Sequence, residues 1–303
     1  MNKSGFYTSQ VGDTRAVTFD LVARRDDLLL VIKVLSNVDS LGKGSARELL
    51  KVASLLNAAP MVVGNRNCAG PIQTGILYLR HAVPIMSLDT LEEYLIEGVP
   101  PLVYAAPGGF YVQVDGSKLQ TLRESKGYSL GQLADIAGVS RKAIQMYEEG
   151  MSAIVDVALR LEEFLDQPIV LPLDPFSHSK DLDKIRETME TLEDCGDEVF
   201  NQLSNLGYRI YPTSKCPFDA VSEHRKDVII TGVDALNMAI RARARSMNTL
   251  SRITERHSVL FVDDSKRDNI EGTPLIRRDE LKRIDDHQDV LDLIEERRRS
   301  DKR

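Results

Sequence analysis

The sequence predicts an α/β plus all-α chain, with a small helical bundle between two related α/β domains. Three observations lead there. Residues Tyr128–Glu149, YSLGQLADIAGVSRKAIQMYEE, encode two short helices joined by a tight turn. A Phe-Asp pair leading into an apolar strand occurs twice, at Phe19-Asp20 and Phe218-Asp219. Each occurrence is followed by a long helix and a further short strand, and matching element order argues for duplication. The expected divisions are 1–100 (α/β), 101–170 (hairpin plus helical bundle), a linker at 171–180, and 181–303 (second α/β copy with C-terminal helices).

In the first copy, Phe19–Arg24 leads into the strand Leu28–Val34, then the helix Ala46–Leu56 and the strand Met61–Val63. Gly75–Tyr78 and Val83–Met86 read as further strands, and Ser87 as the N-cap of a helix over Leu88–Ile96. Pro100-Pro101 closes this domain, and Val103-Tyr104 with Phe110–Val114 flank Pro107-Gly108-Gly109 as a hairpin. In the second copy, Phe218–Glu223 leads into Val228–Val233, and an ungapped count sets Leu29 against Val228. Gly5-Phe6 and Gly207-Tyr208 precede the two copies at comparable distances. The helix Ala235–Arg256, the strand Val259–Val262 and a shortened Thr273–Ile276 follow. Further helices are expected over Asp183–Leu206 and His287–Arg299, with Leu192, Val199, Leu203, Val290 and Leu293 as apolar positions suited to a partner subunit.

At 303 residues the chain is long enough for several cores, with 42% hydrophobic and 28% charged residues. No apolar run approaches a membrane span, and MNKSGFYTSQ lacks a signal-peptide core, so a cytoplasmic protein is expected. Cys68, Cys195 and Cys216 lack metal-ligand spacing and read as reduced thiols. His81, His178, His224, His257 and His287 are too dispersed to suggest a site; no metal or cofactor is expected, and no effector ligand is identified. The net charge of −7 excludes a nucleic-acid coat protein, whose affinity would need a broad basic surface, but not a specific reader. Local clusters remain: Arg241, Arg243, Arg245, Arg252 and Arg256 in one helix with only Glu255 opposing, and Arg297, Arg298, Arg299, Lys302 and Arg303 at the end.

Within the bundle, Ser129 is placed as an N-cap, Leu130, Leu133 and Ala134 repeat at helical spacing, and Gly138 sits at the sharp turn. Ser140 caps the second helix, whose Ile144 and Tyr147 point to a core and whose Arg141, Lys142, Gln145 and Met146 point out. This segment resembles the helix-turn-helix of the lambda-repressor/Cro (XRE) family. Lys118–Gly127 resembles that family's first helix and glycine stop, and Val157–Leu165 its fourth helix. Pro168 and Pro172 argue against a fifth helix here. The resemblance implies a recognition helix, 140–149, in the DNA major groove. Arg141 would pair with a guanine edge, Lys142 reach a base edge or a phosphate, Met146 a thymine methyl, and Lys126 and Ser129 phosphates, with Gln145 on the same outward face. Arg123 and Glu148 match positions that pair inside the family's domain, so they are read as structural.

The first copy also resembles the restriction-endonuclease/Holliday-junction-resolvase fold. Such enzymes use an Asp and, roughly a dozen residues on, Glu-x-Lys to hold Mg²⁺ and activate water. Asp20 and Lys33 stand at suitable places, but Val31 occupies the carboxylate position. In the second copy Asp219 remains, with Ile230 and Gly232 at the other two places; Glu48 is the remaining candidate for a missing ligand. The expectation is a degenerate, non-catalytic scaffold.

Across most of the chain, Val31–Asn37, Pro101–Gly109 and the helix-turn-helix segment resemble a group of archaeal helix-turn-helix regulators. The implied function is a sequence-specific transcriptional regulator that binds double-stranded DNA as a homodimer. The alternatives are a metal-dependent endonuclease or resolvase targeted by its helix-turn-helix, and a protein-interaction adaptor.

Overall fold

The structure, a computed structural model, describes residues 1, 4–10, 18–177, 179–189, 191, 196–234 and 240–299. His178, Leu192, Cys195, the expected helix start at 235–239, and Lys302 and Arg303 lie outside the described residues. The chain opens with β1 (Tyr7–Gln10), β2 (Leu21–Arg25), β3 (Leu28–Asn37), α1 (Lys43–Leu56), β4 (Ala59–Asn67), β5 (Gly70–Pro71), β6 (Ile76–Arg80), β7 (Val83–Met86) and α2 (Leu88–Glu92). Ser87 caps α2 by accepting from Thr90 N, and a π-helical turn, Glu93–Glu97, continues it. Next come β8 (Val103–Ala106), β9 (Gly109–Val114), α3 (Gly116–Ser125), α4 (Leu130–Ala137), α5 (Arg141–Glu148), β10 (Ala153–Ile154), α6 (Val155–Leu165) and β11 (Val170–Leu171). The last third contains α7 (Ser179–Glu187), α8 (Glu198–Asn205), β12 (Arg209–Pro212), β13 (Ala220–His224), β14 (Asp227–Val233) and α9 (Ile240–Thr254). It ends with β15 (His257–Val262), β16 (Asn269–Ile270), β17 (Thr273–Arg277), α10 (Arg278–Leu281) and α11 (His287–Arg299).

The chain divides into two compact units. One contains Met1–Val34, Gly42–Met61 and His178–Arg303; the other contains Leu35–Leu41 and Val62–Ser177. In the first unit the two Phe-Asp segments adopt one geometry. Asp20 N donates to Ile32 O and Asp219 N to Thr231 O. Leu21 pairs with Ile32 as Ala220 pairs with Thr231, and the hairpins turn at Asp26 (φ 52) and Arg225 (φ 55). Phe19 and Phe218 are both buried, as are Phe6 and Tyr208 ahead of β1 and β12. The last-third sheet runs β12-β13-β14-β15-β17-β16; parallel β14 and β15 are joined by the α9 crossover, and parallel β15 and β17 by a connection that carries β16. The segments also pack on one another inside this unit. Thr18 Oγ1 donates to Ser214 O at 2.8 Å, Ser54 Oγ to Leu182 O at 3.0 Å, and Arg24 pairs with Glu255 at 2.8 Å.

The helix expected over Asp183–Leu206 is two helices, α7 and α8. Val199, Leu203 and Val290 are almost fully buried among Tyr208, Ile229, Phe261 and Ile294, with Leu293 packed against them. These side chains complete the unit's own core, so they are not a surface for a partner; apolar periodicity alone does not distinguish the two uses.

In the second unit β7 lies parallel to β4 and antiparallel to β6, β6 lies parallel to β8, and β8–β9 is the expected hairpin. β10 pairs with β9 ahead of α6, and after Leu165 the chain forms no fifth helix but pairs Val170–Leu171 with β9 as β11, in keeping with its prolines. Val112 and Val114 of β9 cover a helical core of Leu119, Leu133, Ile144, Leu161 and Leu165. Leu173 N donates to Pro101 O, and the Phe176 ring lies 5.5 Å from that of Tyr94, in the stretch read from sequence as linker.

Candidate functional site

The helix-turn-helix is built by local chemistry. Ser129 accepts from Gln132 N, and Ser129 N donates to the Gln132 side chain, a reciprocal box that starts α4. Gly138, at φ 70, ends it; a Cβ there would meet the Arg160 guanidinium at 2.7 Å. Arg160 donates to Ala137 O, so a cation caps the α4 C-terminus. Ser140 accepts from Ala143 N and starts α5. Ile144 and Tyr147 are buried, while Arg141, Lys142 and Gln145 are exposed. Met146 is half-buried rather than fully outward. Gln145 donates to Glu149 at 3.1 Å, and the Arg141 guanidinium lies over Gly131 of α4, where a Cβ would come within 2.9 Å of it.

Charge on this domain is sparse. Residues 101–170 hold six Lys and Arg against nine Asp and Glu. Arg123 is bonded in a fork to Glu148, at 2.5 and 3.1 Å, with both side chains largely buried, as expected of a structural pair. Arg160 is bound to Ala137 O, and Lys126 Nζ donates to Leu165 O, the C-terminus of α6, although Lys126 is otherwise exposed. Among the described residues, the side chains of Lys118, Arg141 and Lys142 have no hydrogen bond or ion pair. Two of these three cations stand together on the first turn of α5, where the helix N-terminus adds its own positive potential.

The nuclease-like positions carry a different chemistry. Asp20 accepts from Lys33 Nζ at 3.2 Å and from Val34 N at 2.8 Å. Val31 is fully buried, so no carboxylate faces Asp20 from that place. Glu48 accepts from Ser214 N at 3.3 Å. In the second copy Asp219 accepts from Val233 N across the same fourteen-residue spacing that joins Asp20 to Val34. Arg243, from α9, takes the place of the missing lysine: it binds Asp219 and Asp234 and donates to Pro217 O. A Cβ on Gly232 would stand 2.6 Å from the end of the Leu260 side chain and 3.1 Å from Met247 Sδ, so a side chain there would need both to move. Mg²⁺ needs several oxygens around one point. Asp20 is held by Lys33, and Asp219 and Asp234 are both held by Arg243, so these donor sets do not fit that ion.

Several sequence expectations change. The arginine row of α9 is opposed by more than Glu255: Arg243 meets Asp219 and Asp234, and Arg245 meets Glu271. Arg241 and Arg252 are exposed. Arg297 is no part of a free tail, because it is largely buried and bonded to Glu280 and Leu275 O. His224 and His287, expected to be dispersed, have ring centroids 3.9 Å apart. The fold joins the β13 end to the start of α11, and no sequence spacing encodes that.

Residues 1–101 match the family described as a PD-(D/E)XK superfamily domain, and residues 119–171 match the family described as helix-turn-helix. Over 98% of its length the chain is 39% identical to a protein of Natronomonas pharaonis, covering 95% of that protein. It is 38% identical to a protein of Methanocella arvoryzae, over 96% of this chain and 92% of the other. It is also 38% identical to one of Methanocaldococcus jannaschii, over 91% and 87%. All three carry provisional names as HTH-type transcriptional regulatory proteins. No solved structure matches the chain. Among the described residues, no helix is long and apolar enough to cross a membrane. With identity of this level over nearly the whole length of each chain, the protein belongs to the archaeal family of HTH-type transcriptional regulatory proteins, built from a PD-(D/E)XK superfamily domain and a helix-turn-helix.

Proposed function

We propose that this chain regulates transcription by sequence-specific binding of double-stranded DNA, with helix 140–149 in the major groove. One observation carries the reading: α5 buries Ile144 and Tyr147 and leaves Arg141 and Lys142 exposed and unpaired among the described residues. Arg can bond a guanine edge bidentately, and Lys can reach a base or a phosphate. Ser129 and Lys126 are proposed to meet phosphates, and Gln145 and Met146 to line the same groove face. A single recognition helix reads few base pairs, so a homodimer on two half-sites is proposed. The exposed apolar Met151, Ile154 and Leu159 of this domain are the candidates for its interface. The helix-turn-helix is proposed to stand between two related α/β domains, 1–100 and 181–303, in a cytoplasmic protein. The two Phe-Asp hairpins with one register support the relation between these segments. Selecting bound fragments from a random DNA pool tests the reading; enrichment of a twofold-symmetric sequence supports it, and recovery of unselected DNA refutes it.

The PD-(D/E)XK match at 1–101 favours a nuclease as the second reading. We propose instead a non-catalytic scaffold, since Asp20 is engaged by Lys33 and Val31 offers no ligand. The purified protein should leave supercoiled and branched DNA intact in Mg²⁺ or Mn²⁺. Cleavage abolished by Asp20→Ala would make it an enzyme.

A further inference from the structure

The β13–β14 hairpin ends in the cross-strand pair His224 and Asp227. His287, the first residue of α11, meets them: its ring centroid is 3.9 Å from that of His224. One ligand atom from each of His224, Asp227 and His287 lies within 4.8 Å of the other two, and all three residues are half-buried. Among the described residues no other group of three His, Cys, Asp or Glu residues comes together in this way. A tetrahedral ion with bonds near 2.0–2.1 Å sets its ligand atoms roughly 3.3 Å apart, so modest side-chain rotation closes the set.

Two independent features point to a ligand at this place. His224 Nδ1 is buried and has no hydrogen-bond partner, which is costly for a polar atom that nothing satisfies. His287 Nδ1 lies 2.9 Å from Asp286 Oδ1, and Asp286 is itself fixed by accepting from Gln288 N at 2.8 Å. A carboxylate on one imidazole nitrogen fixes the ring's tautomer and orientation and leaves Nε2 as the donor to a metal. The ring is held from its backbone too, since Tyr208 donates to His287 O at 3.1 Å.

We propose that His224, Asp227 and His287 form a three-ligand site for a divalent transition-metal ion of the zinc class, with Asp286 positioning His287. Two imidazoles with one carboxylate suit such an ion rather than Mg²⁺ or Ca²⁺, which take oxygen ligands. Bound there, the ion ties the start of α11 to the β13–β14 hairpin. Three protein ligands leave one coordination position for water or a small anion.

The test uses the full chain, stripped with a chelator and titrated with Zn²⁺ by calorimetry and with Co²⁺ by visible absorption. One equivalent should bind, with the intense d–d bands of a tetrahedral site. His224→Ala and His287→Ala should each weaken binding by more than about tenfold, and Asp286→Asn by about 10–100-fold. His81→Asn, at an exposed histidine, should change nothing. In the unmutated chain, Zn²⁺ should protect His224 and His287 from diethylpyrocarbonate, mapped by mass spectrometry, which answers the question even if a variant misfolds. No stoichiometric binding, full affinity in both histidine variants, or protection mapping to other histidines overturns the proposal.

Discussion

Most charged residues of the helix-turn-helix are already engaged. Arg123 holds Glu148, Arg160 holds the end of α4 and Lys126 the end of α6. Of the three cations without a partner among the described residues, Arg141 and Lys142 stand together at the start of α5, which is why a domain with more acids than bases can still present a local positive site. Individual groups elsewhere are tuned by burial. Burial pushes the Cys216 thiol up to about 12, and the Asp39 carboxylate, through its hydrogen bond to Cys68, raises that thiol as well. Thiolate is the reactive form. At pH 8 iodoacetamide should therefore modify the exposed Cys68 slowly and Cys216 only after denaturation, as read by peptide mass spectrometry. Rapid native labelling of the half-buried Cys216 would contradict its raised thiol.

At the scale of elements, α11 is fastened by ion pairs more than its basic end suggests. Glu280 of α10 accepts from Arg297 at 2.8 and 3.0 Å and from Arg277 at 2.7 Å, with Glu280 and Arg297 largely buried. The Arg297 hydrogen bonds hold the Glu280 carboxyl below its ordinary value of 4.5, against burial, which works the other way. A lowered carboxyl contributes stability that is present above its unfolded value and lost as pH falls through the folded one. Glu280→Gln should cost about 3 kcal/mol at pH 7 and should flatten the fall in melting temperature below pH 4.5. An unchanged acid limb would sink this account.

Such pairings were only partly legible in the sequence. Caps, turns and the α3–α6 order follow from local chemistry, and Ser129, Gly138 and Ser140 behave as their positions foretold. The duplicated hairpin was legible because register is set by alternation within a few residues. The Asp219–Arg243 and Glu280–Arg297 pairs, the burial of Val199 and Val290, and the approach of His224 to His287 were not. They join segments distant in sequence, and periodicity carries no information about which apolar face meets which.

For the whole molecule, the compact units cut across the sequential order. β1–β3 and α1 share a unit with the last third of the chain, where Ser54 bonds Leu182 O and α1 packs on α7. A fragment ending at Pro175 should therefore leave its first 60 residues open to proteolysis while α3–α6 remain protected by their own core. Equal protection of both regions would show that the first α/β segment folds without the last. Because such a fragment removes the last-third partners of the first 60 residues, the DNA-binding claim is better tested by point changes in the intact chain. The most direct measurement is equilibrium binding of the selected DNA site by the intact protein and by Arg141→Ala, over a series of salt concentrations. The account predicts a loss of about 1–3 kcal/mol for Arg141→Ala, with relaxed preference at one position in each half-site. Unchanged affinity and unchanged preference in Arg141→Ala would contradict the assignment of α5 as the reading helix.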